Sequence, residues 1–127
     1  MLVDSDVLID AMRGRAEADK LLAVVAPFEI SVITYMELLQ GVRNKEELKA
    51  VRASMAHWKA SIIYLNESIC TRAVVMMERH QPSHALGMQD ALIAATAMAK
   101  DDELLTGNEK HYRAIEGLQF KRYLRRS

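Results

Sequence analysis

The 127-residue sequence contains one cysteine, Cys70, so no disulfide can form within the chain. It also lacks a signal-peptide pattern, because Met1 to Val3 run directly into Asp4 without a basic flank or a long apolar stretch. Every apolar run is interrupted by charge well before the length that a membrane-spanning helix requires. These absences predict a soluble, cytoplasmic protein without a membrane segment.

The sequence carries no net charge, since 17 lysine and arginine residues balance 17 aspartate and glutamate residues. A global field that would attract nucleic acid or a membrane is therefore excluded, and any such surface must be local. No segment repeats or has low complexity. The length suits a single domain spanning residues 1–127, which is large enough to bury a core without disulfides or a structural metal.

Short β-like runs alternate with longer helical patterns, which is the order expected of a parallel sheet with helical crossovers. Apolar and β-branched runs predict strands at residues 1–4, 28–33, 61–65, 103–106 and, at one edge, 119–123. Helical periodicity predicts helices at residues 7–14, 17–26, 34–41, 44–60, 69–80 and 90–100. We expect an α/β fold.

Three of these helix starts carry capping signals. Thr34 and Glu37 form the T-x-x-E pattern of a capping box, which predicts Thr34 as the N-cap residue and gives Glu37 a structural role. Asn44 and Asn66 precede the next two helices and are predicted N-caps as well.

Three acidic residues lie where predicted elements begin or end. Asp4 closes the first strand, Glu37 lies near the start of a helix, and Asp90 opens the most apolar helix. In open parallel sheets these positions share one edge, where ligands bind. Converging carboxylates repel one another unless a hard divalent ion lies between them, and such an ion activates water toward phosphate esters. The sequence therefore predicts a magnesium site for phosphodiester hydrolysis.

Each acid also has a purely structural interpretation. Asp4 could cap the helix that follows it, and Glu37 could only complete the capping box. Asp90 could simply be a favourable charge at a helix amino terminus. The ligand role is favoured for Asp90, because a carboxylate that leads so apolar a helix lies near the core and requires a partner.

Four stretches of sequence, in this order, carry a family resemblance: LVDSDVLID, ITYMELLQGV, GMQDALIAATAMAK and ELLTGNEKHY. Together they resemble the PIN-domain ribonucleases, specifically the VapC toxins of VapBC toxin–antitoxin pairs. The resemblance implies a three-layer α/β/α sandwich with a short, mainly parallel central sheet of four to five strands. It also implies a Mg²⁺-dependent endoribonuclease, with Mn²⁺ as a substitute, that cleaves single-stranded or transfer RNA. Its implied partners are a small inhibitory antitoxin and a second copy of the chain.

The resemblance assigns roles to individual residues. Asp4, Glu37 and Asp90 match the acidic core of the family, which holds the metal. Thr106 matches a hydroxyl that supports the first aspartate.

The sequence departs from the family pattern at a fourth acidic position. Gly107 and Asn108 stand where many relatives place an aspartate after the fourth strand. Asn108 could orient water through its amide oxygen, or Glu109 could partly substitute, but the lost charge predicts one well-held ion. Asp6 is a secondary candidate, either for the outer shell of the metal or for a second ion.

RNA binding requires positive charge near the acidic pocket. Lys110 and Arg113 follow the fourth strand at the expected active edge and are the best-placed candidates.

Two other functions remain open from the sequence. Asp4-Ser5-Asp6 after an apolar strand resembles the D-x-D opening of haloacid-dehalogenase-type phosphatases, although the chain is short for that fold. That mechanism would also leave Glu37 and Asp90 without a role. The missing fourth acid would also suit a catalytically silent PIN-like binding module.

Overall fold

The computed structural model describes residues 1–80 and 86–124. Its strands are β1 Leu2–Val3, β2 Glu29–Ser31, β3 Ser61–Ile63, β4 Leu104–Thr106 and β5 Phe120–Arg122. Its helices are α1 Ser5–Met12, α2 Ala16–Val25, α3 Val32–Gln40, α4 Lys45–His57, α5 Glu67–His80, α6 Met88–Ala99 and α7 Glu109–Tyr112. The strands form one parallel sheet in the order β3-β2-β1-β4-β5. The predicted α/β class and mainly parallel sheet are confirmed, with five strands.

The sheet separates two hydrophobic cores. Leu2 of β1 pairs with Leu104 of β4, and both point into a core that contains the apolar faces of α5, α6 and α7. The next pair, Val3 and Leu105, points into a second core with α1, α2, α3 and α4. Neighbouring residues of a strand face opposite sides of a sheet, so the two cores lie on opposite faces. Helices therefore cover both faces. This is the expected three-layer sandwich.

The boundary between β2 and α3 differs from the prediction. The β-branched run at residues 28–33 predicts a longer strand, but pairing with β3 ends at Ser31. The Ser31 hydroxyl accepts a hydrogen bond from the Ile33 N–H at 3.1 Å and so caps α3. The prediction of Thr34 as N-cap was therefore wrong. Thr34 is buried inside α3, and its Oγ1 has no hydrogen-bond partner among the described residues.

The two asparagine caps are confirmed. Asn44 Oδ1 accepts a hydrogen bond from the Glu47 N–H at 2.9 Å at the start of α4. Asn66 Oδ1 accepts one from the Ile69 N–H at 2.8 Å beside the start of α5. Within residues 1–80 and 86–124, no helix has the length and apolar content needed to cross a bilayer.

Candidate active site

Asp4 links the end of β1 to several other elements. Its Oδ1 accepts the Ser5 N–H at 2.8 Å, so the residue does cap α1. Its Oδ2 accepts the Thr106 hydroxyl at 2.8 Å and the Tyr112 hydroxyl at 3.0 Å. The side chain is only 3% exposed, and burial raises its pKa despite these donors. The capping interpretation thus accounts for Oδ1 alone. Oδ2 is bound by Thr106 and Tyr112, which lie 102 and 108 residues later in the chain.

Asp90, in the first turn of α6, shares a donor with Asp4. Its Oδ1 lies 3.2 Å from the Tyr112 hydroxyl. Its Oδ2 lies 3.2 Å from Nδ1 of the half-exposed His111. Asp4, at the end of β1, and Asp90, at the start of α6, therefore contact the same phenol oxygen. The sequence predicts both as site residues.

Glu37 lies in α3 and interacts with the same charges. Its pKa is raised first by burial and then by repulsion from Asp4 and Asp90, whereas a hydrogen bond with Ser5 lowers it. Its Oε1 is buried and has no hydrogen-bond partner among the described residues. A buried carboxylate oxygen without a donor is costly unless a ligand or a proton satisfies it.

Asp6 approaches the loop after β4. Its Oδ2 accepts the Gly107 N–H at 2.8 Å, and its Oδ1 accepts the Val7 N–H at 2.9 Å. Burial, followed by repulsion from Asp4, raises the pKa of Asp6 to about 7. A Cβ atom at position 107 would lie 2.5 Å from Asp6 Oδ2, so any other residue there would displace the Asp6 carboxylate from this hydrogen bond.

The remaining predicted residues lie after β4. The Asn108 N–H donates to Thr106 Oγ1 at 3.0 Å, and its exposed side chain makes no capping bond. Lys110 and Arg113 are exposed and form no ion pair within the described part of the chain. Two other arginines are paired with glutamates: Arg43 with Glu47 and Arg122 with Glu109.

The negative charge at this edge is poorly compensated. Among residues 1–80 and 86–124, no lysine or arginine forms an ion pair with Asp4, Asp6 or Glu37. Within the same residues, no three His, Cys, Asp or Glu side chains already stand close enough to form a complete metal site. The raised pKa values and the Glu37 oxygen without a donor nevertheless fit a hard divalent cation, for which oxygen atoms are the preferred ligands.

Tyr112 is the site residue that sequence reasoning did not identify. It lies on the four-residue helix α7, which is too short for a periodicity signal. Only the residue type could have indicated a polar contact, because a buried tyrosine usually directs its hydroxyl to a polar partner.

Comparison with known proteins identifies the fold. Residues 1–117 match the family model of the PIN domain. Ribonuclease VapC10 of Mycobacterium tuberculosis is 38% identical over 123 residues, covering 94% of this chain and 90% of that protein. Ribonuclease VapC1 of Rickettsia felis is 30% identical over 125 residues, covering 94% and 92%.

Solved structures of related proteins share the fold of this chain. A toxin–antitoxin complex from Klebsiella pneumoniae contains a chain with a TM-score of 0.75 at 35% identity, covering 92% of this chain and 93% of that one. The structure of VapBC2 from Rickettsia felis bound to a promoter DNA fragment gives a TM-score of 0.82 at 22% identity, which shows the shared fold alone. The chain therefore belongs to the PIN-domain family and is related to its VapC members.

Proposed function

We propose that this chain is a divalent-metal-dependent endoribonuclease that hydrolyses RNA phosphodiester bonds, and that it is the toxin of a VapBC-type pair. The observation that carries the proposal is the meeting of Asp4 and Asp90 at one phenol oxygen, with Glu37 electrostatically coupled to both. The names of the relatives, ribonucleases VapC10 and VapC1, support RNA as the substrate.

Asp4, Glu37 and Asp90 are the proposed ligands of Mg²⁺ or Mn²⁺. When bound, the cation would act as a Lewis acid and lower the pKa of a water molecule. Thr106 holds Asp4 through a hydrogen bond. Asp6 and Asn108 lie beside these ligands. Only Asp6 of the two carries a carboxylate, which favours one tightly held ion over two.

RNA is proposed to approach over α7. Lys110 and Arg113 supply cations there that no carboxylate of the described residues neutralises. Both residues flank His111 and Tyr112, which contact Asp90. Cations on this segment suit single-stranded or transfer RNA, whose phosphates would contact them while one phosphodiester reaches the acids.

The proposed protein partners are a small antitoxin and a second copy of the chain. A relative at 35% identity is solved as a toxin–antitoxin complex, which supports the antitoxin. Met36 and Met88 are 56% and 64% exposed on the helices that carry Glu37 and Asp90, and we propose that a partner protein covers them. We place the single domain, residues 1–127, in the cytoplasm.

Replacing one ligand tests the activity. Asp90→Asn keeps the size of the side chain but removes its charge, so RNA cleavage with Mg²⁺ or Mn²⁺ should disappear while the unfolding temperature stays near that of the wild type. Asp19→Asn, at an exposed acid on α2, is the matched control and should cleave normally. Wild-type cleavage by Asp90→Asn would remove the proposed site.

The same variants, assayed on RNA and on a phosphomonoester, test the phosphatase and the silent binding module. The phosphatase hypothesis predicts hydrolysis of a phosphomonoester that depends on Asp4 and not on Asp90. A silent binding module would bind RNA and cleave none. Membership of the PIN-domain family favours neither.

A further inference from the structure

The Tyr112 side chain is fully buried, and its hydroxyl lies between two carboxylates. The hydroxyl oxygen is 3.0 Å from Asp4 Oδ2 and 3.2 Å from Asp90 Oδ1. A phenol carries a single proton and so donates fully to one acceptor at a time. One neutral group thus contacts two acids that repel each other.

The two acids depend on this phenol to different degrees. Asp4 has two further donors, the Ser5 N–H and the Thr106 hydroxyl. Asp90 has one further contact within the described residues, with the half-exposed ring of His111. Among the described residues, the buried Tyr112 is therefore the only one whose side chain hydrogen-bonds to both Asp90 and Asp4.

We propose that Tyr112 is a positioning residue that sets the separation of Asp4 and Asp90 for cation binding. The inference rests on the proposed function, in which these two acids are metal ligands. The phenol is suited to the role because its ring is held on all sides and has only two side-chain torsions. Burial, followed by the charges of Asp4 and Asp90, raises its pKa, so it remains a neutral donor.

Removing the hydroxyl should release Asp90 and weaken the cation site. Groups that orient metal ligands typically contribute about 10- to 100-fold to metal affinity. Tyr112→Phe should therefore weaken Mn²⁺ binding by about 10-fold or more. The Mn²⁺ concentration for half-maximal RNA cleavage should rise by the same factor, and cleavage should recover at saturating Mn²⁺.

The chain offers a matched control. Tyr123 is also a buried tyrosine, and its hydroxyl donates to the buried Asp10 at 2.9 Å and, within the described residues, to none of Asp4, Glu37 and Asp90. Tyr123→Phe deletes the same kind of hydrogen bond. Both variants should lose stability in thermal unfolding, but only Tyr112→Phe should lose Mn²⁺ affinity when this is measured by electron paramagnetic resonance or calorimetry.

The outcomes separate this inference from the proposed function. If wild-type protein binds no Mn²⁺, the proposed function fails and the role of Tyr112 with it. If the wild type binds Mn²⁺ and Tyr112→Phe binds it equally well or more tightly, only the positioning role is overturned. Equal weakening in Tyr112→Phe and Tyr123→Phe also overturns it, since loss of stability would then explain both.

A measurement on wild-type protein covers the case in which Tyr112→Phe does not fold. With ¹³Cζ-labelled tyrosine, Mg²⁺ should shift the Tyr112 resonance and leave the Tyr123 resonance unchanged. The resonance is assigned by elimination with Tyr35→Phe, Tyr64→Phe and Tyr123→Phe, since the chain has four tyrosines. A Tyr112 resonance that does not move at saturating Mg²⁺ would overturn the inference.

Discussion

At the scale of single residues, Asp6 links the candidate site to the stability of the fold. Its pKa is about 7 in the folded chain, mainly because of burial, against 3.8 for the unperturbed group. Between these values the folded state keeps a proton that the unfolded chain has released. The contribution of the protonated Asp6 to stability is therefore fully present below pH 3.8 and is lost as the pH rises through about 7.

We therefore expect metal-free protein, kept in a chelator, to unfold at a lower temperature at pH 8 than at pH 5. Since about 1 kcal/mol shifts the melting temperature of a domain of this size by several degrees, calorimetry can resolve the difference. Asp6→Asn should reduce the drop, whereas Asp19→Asn should leave it unchanged. A melting temperature that rises between pH 5 and pH 8 would contradict the assignment of Asp6.

The residue scale also shows where prediction from sequence stopped. Asp4 and Asp90 could be singled out because strand ends and helix starts can be recognised locally. The role of Tyr112 could not, because its two partners lie 108 and 22 residues away and are brought to it only by folding.

At the scale of elements, the start of α3 fixes the position of Glu37. Ser31→Ala removes the observed cap and should destabilise the protein by about 1 kcal/mol. Thr34→Val removes a buried hydroxyl without a partner among the described residues, so stability should stay the same or rise. Urea unfolding of the two variants measures both effects.

The reverse order would restore the capping box predicted from the sequence. If Thr34→Val destabilises the protein more than Ser31→Ala does, the helix starts at Thr34 after all. The order of strands and helices was readable from periodicity, but this boundary was not. Val32 and Ile33 are β-branched, but the Ser31 hydroxyl caps a helix at the residue where the described pairing of β2 with β3 ends, so both residues are helical.

At the scale of the whole molecule, charge is balanced overall and uneven locally. Lys110→Gln combined with Arg113→Gln should weaken RNA binding while Mn²⁺ affinity stays intact, because both side chains are exposed cations. They flank His111 and Tyr112 in the chain, and those two residues contact Asp90. For single-stranded RNA, losing two phosphate contacts should reduce the salt slope of log affinity by about 1.4. Fluorescence anisotropy across a salt series measures it.

The matched control replaces two exposed lysines on other helices, Lys20→Gln with Lys49→Gln. It makes the same change in net charge and should leave the salt slope unchanged. If both pairs of substitutions reduce the slope equally, the RNA contact is a diffuse charge effect and α7 is not its location.

The first aspartate is held by groups that lie far along the chain from it. Thr106 lies 102 residues after Asp4, and Tyr112 lies 108 residues after it. During synthesis, the two hydroxyls that orient Asp4 are therefore added 102 and 108 residues after the carboxylate itself. A nascent chain that has not reached Tyr112 therefore lacks the oriented carboxylate on which the proposed RNA cleavage depends.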